Sequence, residues 1–309
     1  MNVARLWAPL LAAALGATAL AGCDDAGASP DGKTPVVASF YPLAYAAERV
    51  GGAFVDVTSL TPPGAEPHDV ELSPKEAAAV SDASLAVYAK GFQPSVDAAV
   101  KLVDHGNVLN VASAADLDLS LDSVTTIGGK DAESGSGTDP HFWLDPVRYA
   151  AVVGVIAKAL QQRDPAHAAA YGKNAAAFQR ELAALDTSFA RGLAHCRNTS
   201  IVTSHAAFGY LAQRYHLRQV GVTGVSPEQE PTPGRLRDVT TYVKDHQVST
   251  IYTETLASPA VARAVATQTG ARVAVLDPIE GVTEASAGHD YLTIMRANLA
   301  TLRAGQECS

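Results

Sequence analysis

Apolar and polar positions along the chain fall into short, strand-like runs separated by stretches with helical spacing. In the first half the runs cover 36–40, 55–60, 85–89 and 108–111. Helical stretches lie between them at 42–50, from Ser73-Pro74 onward, and at 94–103. Serine as N-cap with proline in the first turn is a strong helix start. The rhythm returns later, with strand-like runs at 201–204, 219–222, 250–253 and 272–275, and helices at 206–215, 233–246 and 259–269. Strands alternating with helices predict parallel sheets covered on both faces. The expected fold is therefore α/β with two lobes, 35–164 and 195–309.

Residues 165–194 have a different pattern. Tyr171, Phe178, Leu182, Leu185, Phe189 and Leu193 recur at three, four or seven residues, the spacing of one helix face. Lys173, Arg180 and Arg191 fall off that stripe. One long, rigid backbone helix joining the lobes is expected, its aromatic stripe serving as core.

The N-terminus indicates the compartment. Arg5 precedes an uncharged, Leu/Ala-rich run over 6–20 that ends in Leu20-Ala21-Gly22-Cys23. A basic start, a short apolar run and small residues at the cut describe a secretory signal, here 1–22. The run is shorter than the ~20 apolar residues of a comfortable membrane span. Leu-Ala-Gly-Cys resembles the lipobox of bacterial lipoproteins, in which the cysteine is lipidated and becomes the mature N-terminus. That implies Cys23 as the lipidation site, a polar tether over 23–34, and an extracytoplasmic domain anchored to the outer face of the cell membrane, or in the periplasm.

Composition narrows the partners. The formal net charge is −9, and Lys/Arg residues form no cluster, which argues against nucleic acid. Nothing in the sequence supports oligomerisation, so a monomer is expected. Of the three cysteines, Cys196 and Cys308 remain once Cys23 is lipidated. In an oxidising exterior a Cys196–Cys308 bridge is favoured over two separate thiols.

The candidate chemistry lies in four segments. They are Glu66-Pro67-His68-Asp69, Asp139-Pro140-His141-Phe142-Trp143-Leu144-Asp145-Pro146, Ser204-His205-Ala206-Ala207-Phe208-Gly209, and Leu276-Asp277-Pro278-Ile279-Glu280-Gly281. All four are expected near the carboxyl ends of strands, two in each half, where open parallel sheets bind ligands. Three neutral imidazoles with one carboxylate suit a divalent first-row metal, zinc before the more oxygen-seeking manganese. A ligating histidine needs a group that fixes its tautomer, and Asp69, Asp139, Asp145 and Glu254 are the candidates. Any one of these histidines alone would more often be a capped or surface residue. The other six are read as ordinary, with His289 the one to check. A zinc hydrolase would need an open metal position, and the sequence has no His-Glu-x-x-His.

Taken together, Pro67-His68-Asp69, the Asp139–Asp145 stretch, Ser204-His205-Ala206-Ala207-Phe208-Gly209-Tyr210 and Leu276-Asp277-Pro278 resemble the zinc/manganese substrate-binding lipoproteins of ABC importers, the ZnuA-like group. The resemblance implies metal held between two lobes, with His68, His141, His205 and Asp277 as ligands, and delivery to an ABC permease. His205 stands where manganese members tend to carry Glu, which leans toward Zn2+, with Mn2+ or a metal-dependent adhesin as alternatives. The chain departs from many zinc members in lacking histidine over 125–138. No ligand role is carried to Glu66.

Overall fold

A computed structural model describes residues 32–103, 105–121 and 137–309. The signal, Cys23, most of the tether and residues 125–136 lie outside them. Strands β1 (Thr34–Ala38), β2 (Val55–Ser59), β3 (Leu85–Tyr88) and β4 (Val108–Asn110) form a parallel sheet in the order β2-β1-β3-β4. Strands β5 (Ser200–Thr203), β6 (Arg218–Gly221), β7 (Thr250–Thr253) and β8 (Arg272–Val275) repeat that topology as β6-β5-β7-β8. Val36 pairs with Val57 on one side and Leu85 on the other. Val202 sits likewise between Val220 and Ile251. Such apolar central strands are buried on both faces.

Helix starts follow local chemistry. Ser73 and Glu76 close a reciprocal capping box at Pro74–Asp82. Asp145 caps Pro146–Arg163, and Asp290 caps Tyr291–Gly305. The helix expected from residue 206 begins only at Gly209. The backbone N–H groups ahead of it are already engaged: His205 donates to Glu254, Ala206 to the Gly224 carbonyl, and Phe208 to Gln219.

The segment over 165–194 forms one 3-10 turn, Pro165–His167, followed by the helix Ala168–Gly192. Tyr171, Phe178, Leu182, Leu185 and Phe189 are buried along it. This helix packs along Pro146–Arg163 and against Tyr41–Gly51 and Tyr291–Gly305, so both halves of the chain rest on it. Each sheet has a small apolar cluster of its own on the outer face, around Val37 and Val80 in one and Val220 and Ile251 in the other. The inner faces share one continuous core, with Phe40, Trp143, Phe178, Tyr210 and Tyr291 among its members. Polar bonds cross that core. Trp143 Nε1 donates to the Pro278 carbonyl at 2.7 Å, and Tyr210 Oη donates to the Asp139 carbonyl at 3.0 Å. The bridge Cys196–Cys308 ties the C-terminus to the segment ahead of β5, at the end of the sheet away from the strands' carboxyl ends.

Candidate metal centre

Both sheets direct their carboxyl ends toward one place. His68 lies in the loop after β2, His205 directly after β5, Glu254 directly after β7 and Glu280 in the turn after β8. His141 is the exception to the strand-end expectation. It follows an irregular segment and immediately precedes the 3-10 turn Phe142–Leu144. Trp143 and Tyr210 anchor that segment to the second half of the chain.

His68, His141, His205 and Glu280 converge, with one donor atom from each lying within 4.8 Å of the others. Glu280 Oε1 lies 3.1 Å from His68 Nε2, 3.0 Å from His141 Nε2 and 3.5 Å from His205 Nε2. His68 Nε2 and His141 Nε2 are 3.2 Å apart. A tetrahedral ion bound at ~2.0–2.1 Å holds its donors about 3.3–3.4 Å from one another. The cluster has those dimensions. His141, His205 and Glu280 are at most 1% exposed, and His68 is 9% exposed.

The fourth carboxylate differs from expectation: the structure brings Glu280 into the cluster and leaves Asp277 out. Asp277 Oδ1 accepts the Ile279 N–H at 2.8 Å, and the Asn298 side chain holds the Asp277 backbone at both its N–H and its carbonyl. Ile279 then takes φ +57, an uncommon conformation for a β-branched residue. The turn carries the longer Glu280 side chain inward. The signal in the sequence was the glutamate followed by Gly281. A Cβ at Gly281 would stand 4.0 Å from both the Ala65 carbonyl oxygen and the Gly64 nitrogen of the His68 loop.

The four candidate tautomer-fixing groups divide evenly. Asp139 Oδ1 lies 2.7 Å from His141 Nδ1, and Glu254 Oε2 lies 2.6 Å from His205 Nδ1. Each carboxylate accepts the Nδ1 proton and leaves Nε2 with its lone pair toward the cluster. Asp145 caps a helix and pairs with Arg148 and Arg214 instead, and Asp69 is exposed to solvent. His289 is also on the surface, its side chain 86% exposed.

Electrostatics follow the same geometry. Burial alone would lower the His205 imidazole, yet Glu254 and Glu280 raise it well above its ordinary value. His141 is raised in the same way, against burial, by Asp139 and Glu280. His68 is lowered by burial, only partly offset by Glu280. Burial opposes ionisation of Glu280, but the three histidines hold its carboxyl well below the usual range. Glu66, whose Oε2 accepts the His68 N–H at 3.1 Å, is pushed up to about 8 by burial and by Glu280.

A profile of the family described as zinc-uptake complex component A, periplasmic, matches residues 36–305. The zinc-binding lipoprotein AdcA of Streptococcus pneumoniae serotype 4 is 36% identical over 300 residues, covering 95% of this chain and 60% of AdcA. The high-affinity zinc uptake system protein ZnuA of Bacillus subtilis is 35% identical over 300 residues, covering 95% of this chain and 93% of ZnuA. The chain thus spans 60% of the length of AdcA but nearly all of ZnuA. Among solved structures, the Zn(II)-bound ZnuA-like domain of S. pneumoniae AdcA matches with a TM-score of 0.73 at 35% identity, covering 89% of this chain and all of that domain. The laminin binding protein Lmb of Streptococcus agalactiae, a bifunctional protein with adhesin and metal transporting activity, matches with a TM-score of 0.75 at 36% identity, covering 89% of this chain and 99% of Lmb. On the profile match and on these relatives, the chain belongs to the zinc-uptake complex component A family.

Proposed function

We propose that the protein captures one Zn2+ ion between its two sheets and delivers it to an ABC permease. His68, His141, His205 and Glu280 are the proposed ligands, and zinc is the cargo. The observation that supports this most directly is the set of donor separations, 3.0 to 3.5 Å around Glu280 Oε1. Three imidazoles with one carboxylate oxygen favour zinc over manganese, which takes more oxygen ligands. Four protein donors close the tetrahedron, which speaks for binding and release rather than hydrolysis. The lipobox-like Leu20-Ala21-Gly22-Cys23 supports a lipid anchor on Cys23 and an extracytoplasmic site of action.

Metal content and competition on the mature protein test this reading. One zinc per wild-type chain, weakened in His205→Ala and not displaced by excess manganese, is the expected result. No bound metal in a folded wild-type protein would overturn it. A preference for manganese would move the cargo while keeping the transport role.

A further inference from the structure

Glu66 carries charge beside the cluster without belonging to it. Three of the four donor residues are sealed from solvent, and His68 is the one that reaches the surface. Pro62, Pro63 and Gly64, immediately ahead of Glu66, are exposed, whereas Glu66 itself is half-buried. The mouth of the site therefore lies between the His68 loop and the facing Glu280 turn. Gly64 and Gly281 approach each other there, with no side chain on either.

Glu66 is held at this mouth by one oxygen, through Oε2 and the His68 N–H. Its other oxygen, Oε1, is buried and has no hydrogen-bond partner. On the opposite wall Glu280 uses Oε1 toward all three histidines, while its Oε2 is likewise buried and unpartnered. Glu66 feels Glu280 as a repelling charge and His205 as an attracting one, so its carboxylate faces the cluster. Buried carboxylate oxygens left unpaired are costly. A divalent cation passing between the two glutamates turns their repulsion into attraction.

We infer that Glu66 is a relay for the cation: it takes the incoming ion at the mouth, passes it to the three histidines and Glu280, and meets it again on release. This rests on the proposed zinc reading of the cluster. A group that stabilises the ion only in passage lowers the barrier equally in both directions. Removing it slows association and dissociation together and leaves the equilibrium in place.

Stopped-flow measurement of Zn2+ binding and chelator-driven release decides this, using the wild type, Glu66→Gln, Glu66→Ala and Asp69→Asn at fixed salt. Glutamine keeps the acceptor for the His68 N–H but lacks the anionic oxygen. Asp69 is an exposed acid one residue past His68 and controls for general attraction of cations. The expected result is that both rates fall roughly tenfold in the two Glu66 variants, with Kd nearly unchanged and Asp69→Asn like wild type. Unchanged rates in the Glu66 variants would overturn the relay. So would a raised Kd with faster release, which marks a resident ligand or a structural role, and so would equal slowing in Asp69→Asn. A wild type that binds no zinc would instead sink the site assignment, and the relay with it.

Discussion

Glu254 Oε2 lies 2.6 Å from His205 Nδ1, and Glu254 Oε1 accepts the His205 backbone N–H at 3.0 Å. One carboxylate thus fixes both the ring and the main chain of a residue from the neighbouring strand end. Glu254→Gln keeps the size and one acceptor but loses the charge that raises the basicity of the imidazole. Zinc affinity is expected to fall by about 10–100-fold, the usual cost of losing a partner to a ligand. Competition with a chelating dye measures it, and an unchanged affinity would show that His205 needs no such support.

The two acidic residues of the turn after β8 should separate cleanly. Glu280→Gln removes the charged donor that faces three imidazoles, and zinc affinity is expected to drop by more than about a hundredfold, beyond the range for partners of ligands. Asp277→Asn retains an oxygen for the Ile279 N–H, so its affinity should stay within a few-fold of wild type. The reverse ranking would restore Asp277 as the ligand.

Acidification should weaken zinc binding, because protons and metal compete for the same imidazole nitrogens. His141 and His205 are raised above the ordinary imidazole value, so loss of affinity begins above that value as pH falls. The metal-free protein has its own pH dependence. The stabilisation from His205 is fully present below its unfolded pKa and is lost as pH rises through the raised folded one. The contribution of Glu280, whose folded pKa is depressed, is present above its unfolded value and lost as pH falls toward the folded one. Zinc replaces the lost protons at higher pH, so the rise in Tm on adding zinc should grow from mildly acidic to mildly alkaline solution. A constant rise across that range would contradict histidine ligation.

Reduction of Cys196–Cys308 should affect stability and spare binding. The bridge spans 112 residues of sequence, for which the loop-entropy estimate is about 4–5 kcal/mol. It lies at the end of the second sheet opposite the zinc ligands. The expected outcome is a lower urea midpoint after reduction with the zinc affinity of the folded protein preserved. A loss of affinity in folded, reduced protein would reveal a coupling through β5.

Much of the fold was legible in the sequence because central parallel strands such as Val36–Ala38 and Ile251–Tyr252 read as continuous apolar runs. Three histidines were legible as well, each in a short distinctive segment. The fourth donor was not. Asp277 and Glu280 share one turn, and which of them faces inward depends on the left-handed conformation of Ile279, which no periodicity encodes. The start of the helix at Gly209 was hidden for a related reason, since its upstream N–H groups bond to Glu254, Gly224 and Gln219 on other elements. The shared core was equally out of reach, because Trp143, Tyr210 and Tyr291 meet only when both halves are packed.

His68 stands 73 residues from His141 and 212 from Glu280 in sequence, although their donor atoms nearly touch. An unfolded chain cannot chelate with groups so far apart without first meeting the loop-closure entropy of the whole molecule. Zinc affinity therefore arises late in folding, when the two sheets have docked, and a chain still threading across a membrane would hold the ion little better than separate imidazoles do. Such a chain would leave the cell's interior without carrying its zinc away and would load only after it had folded outside.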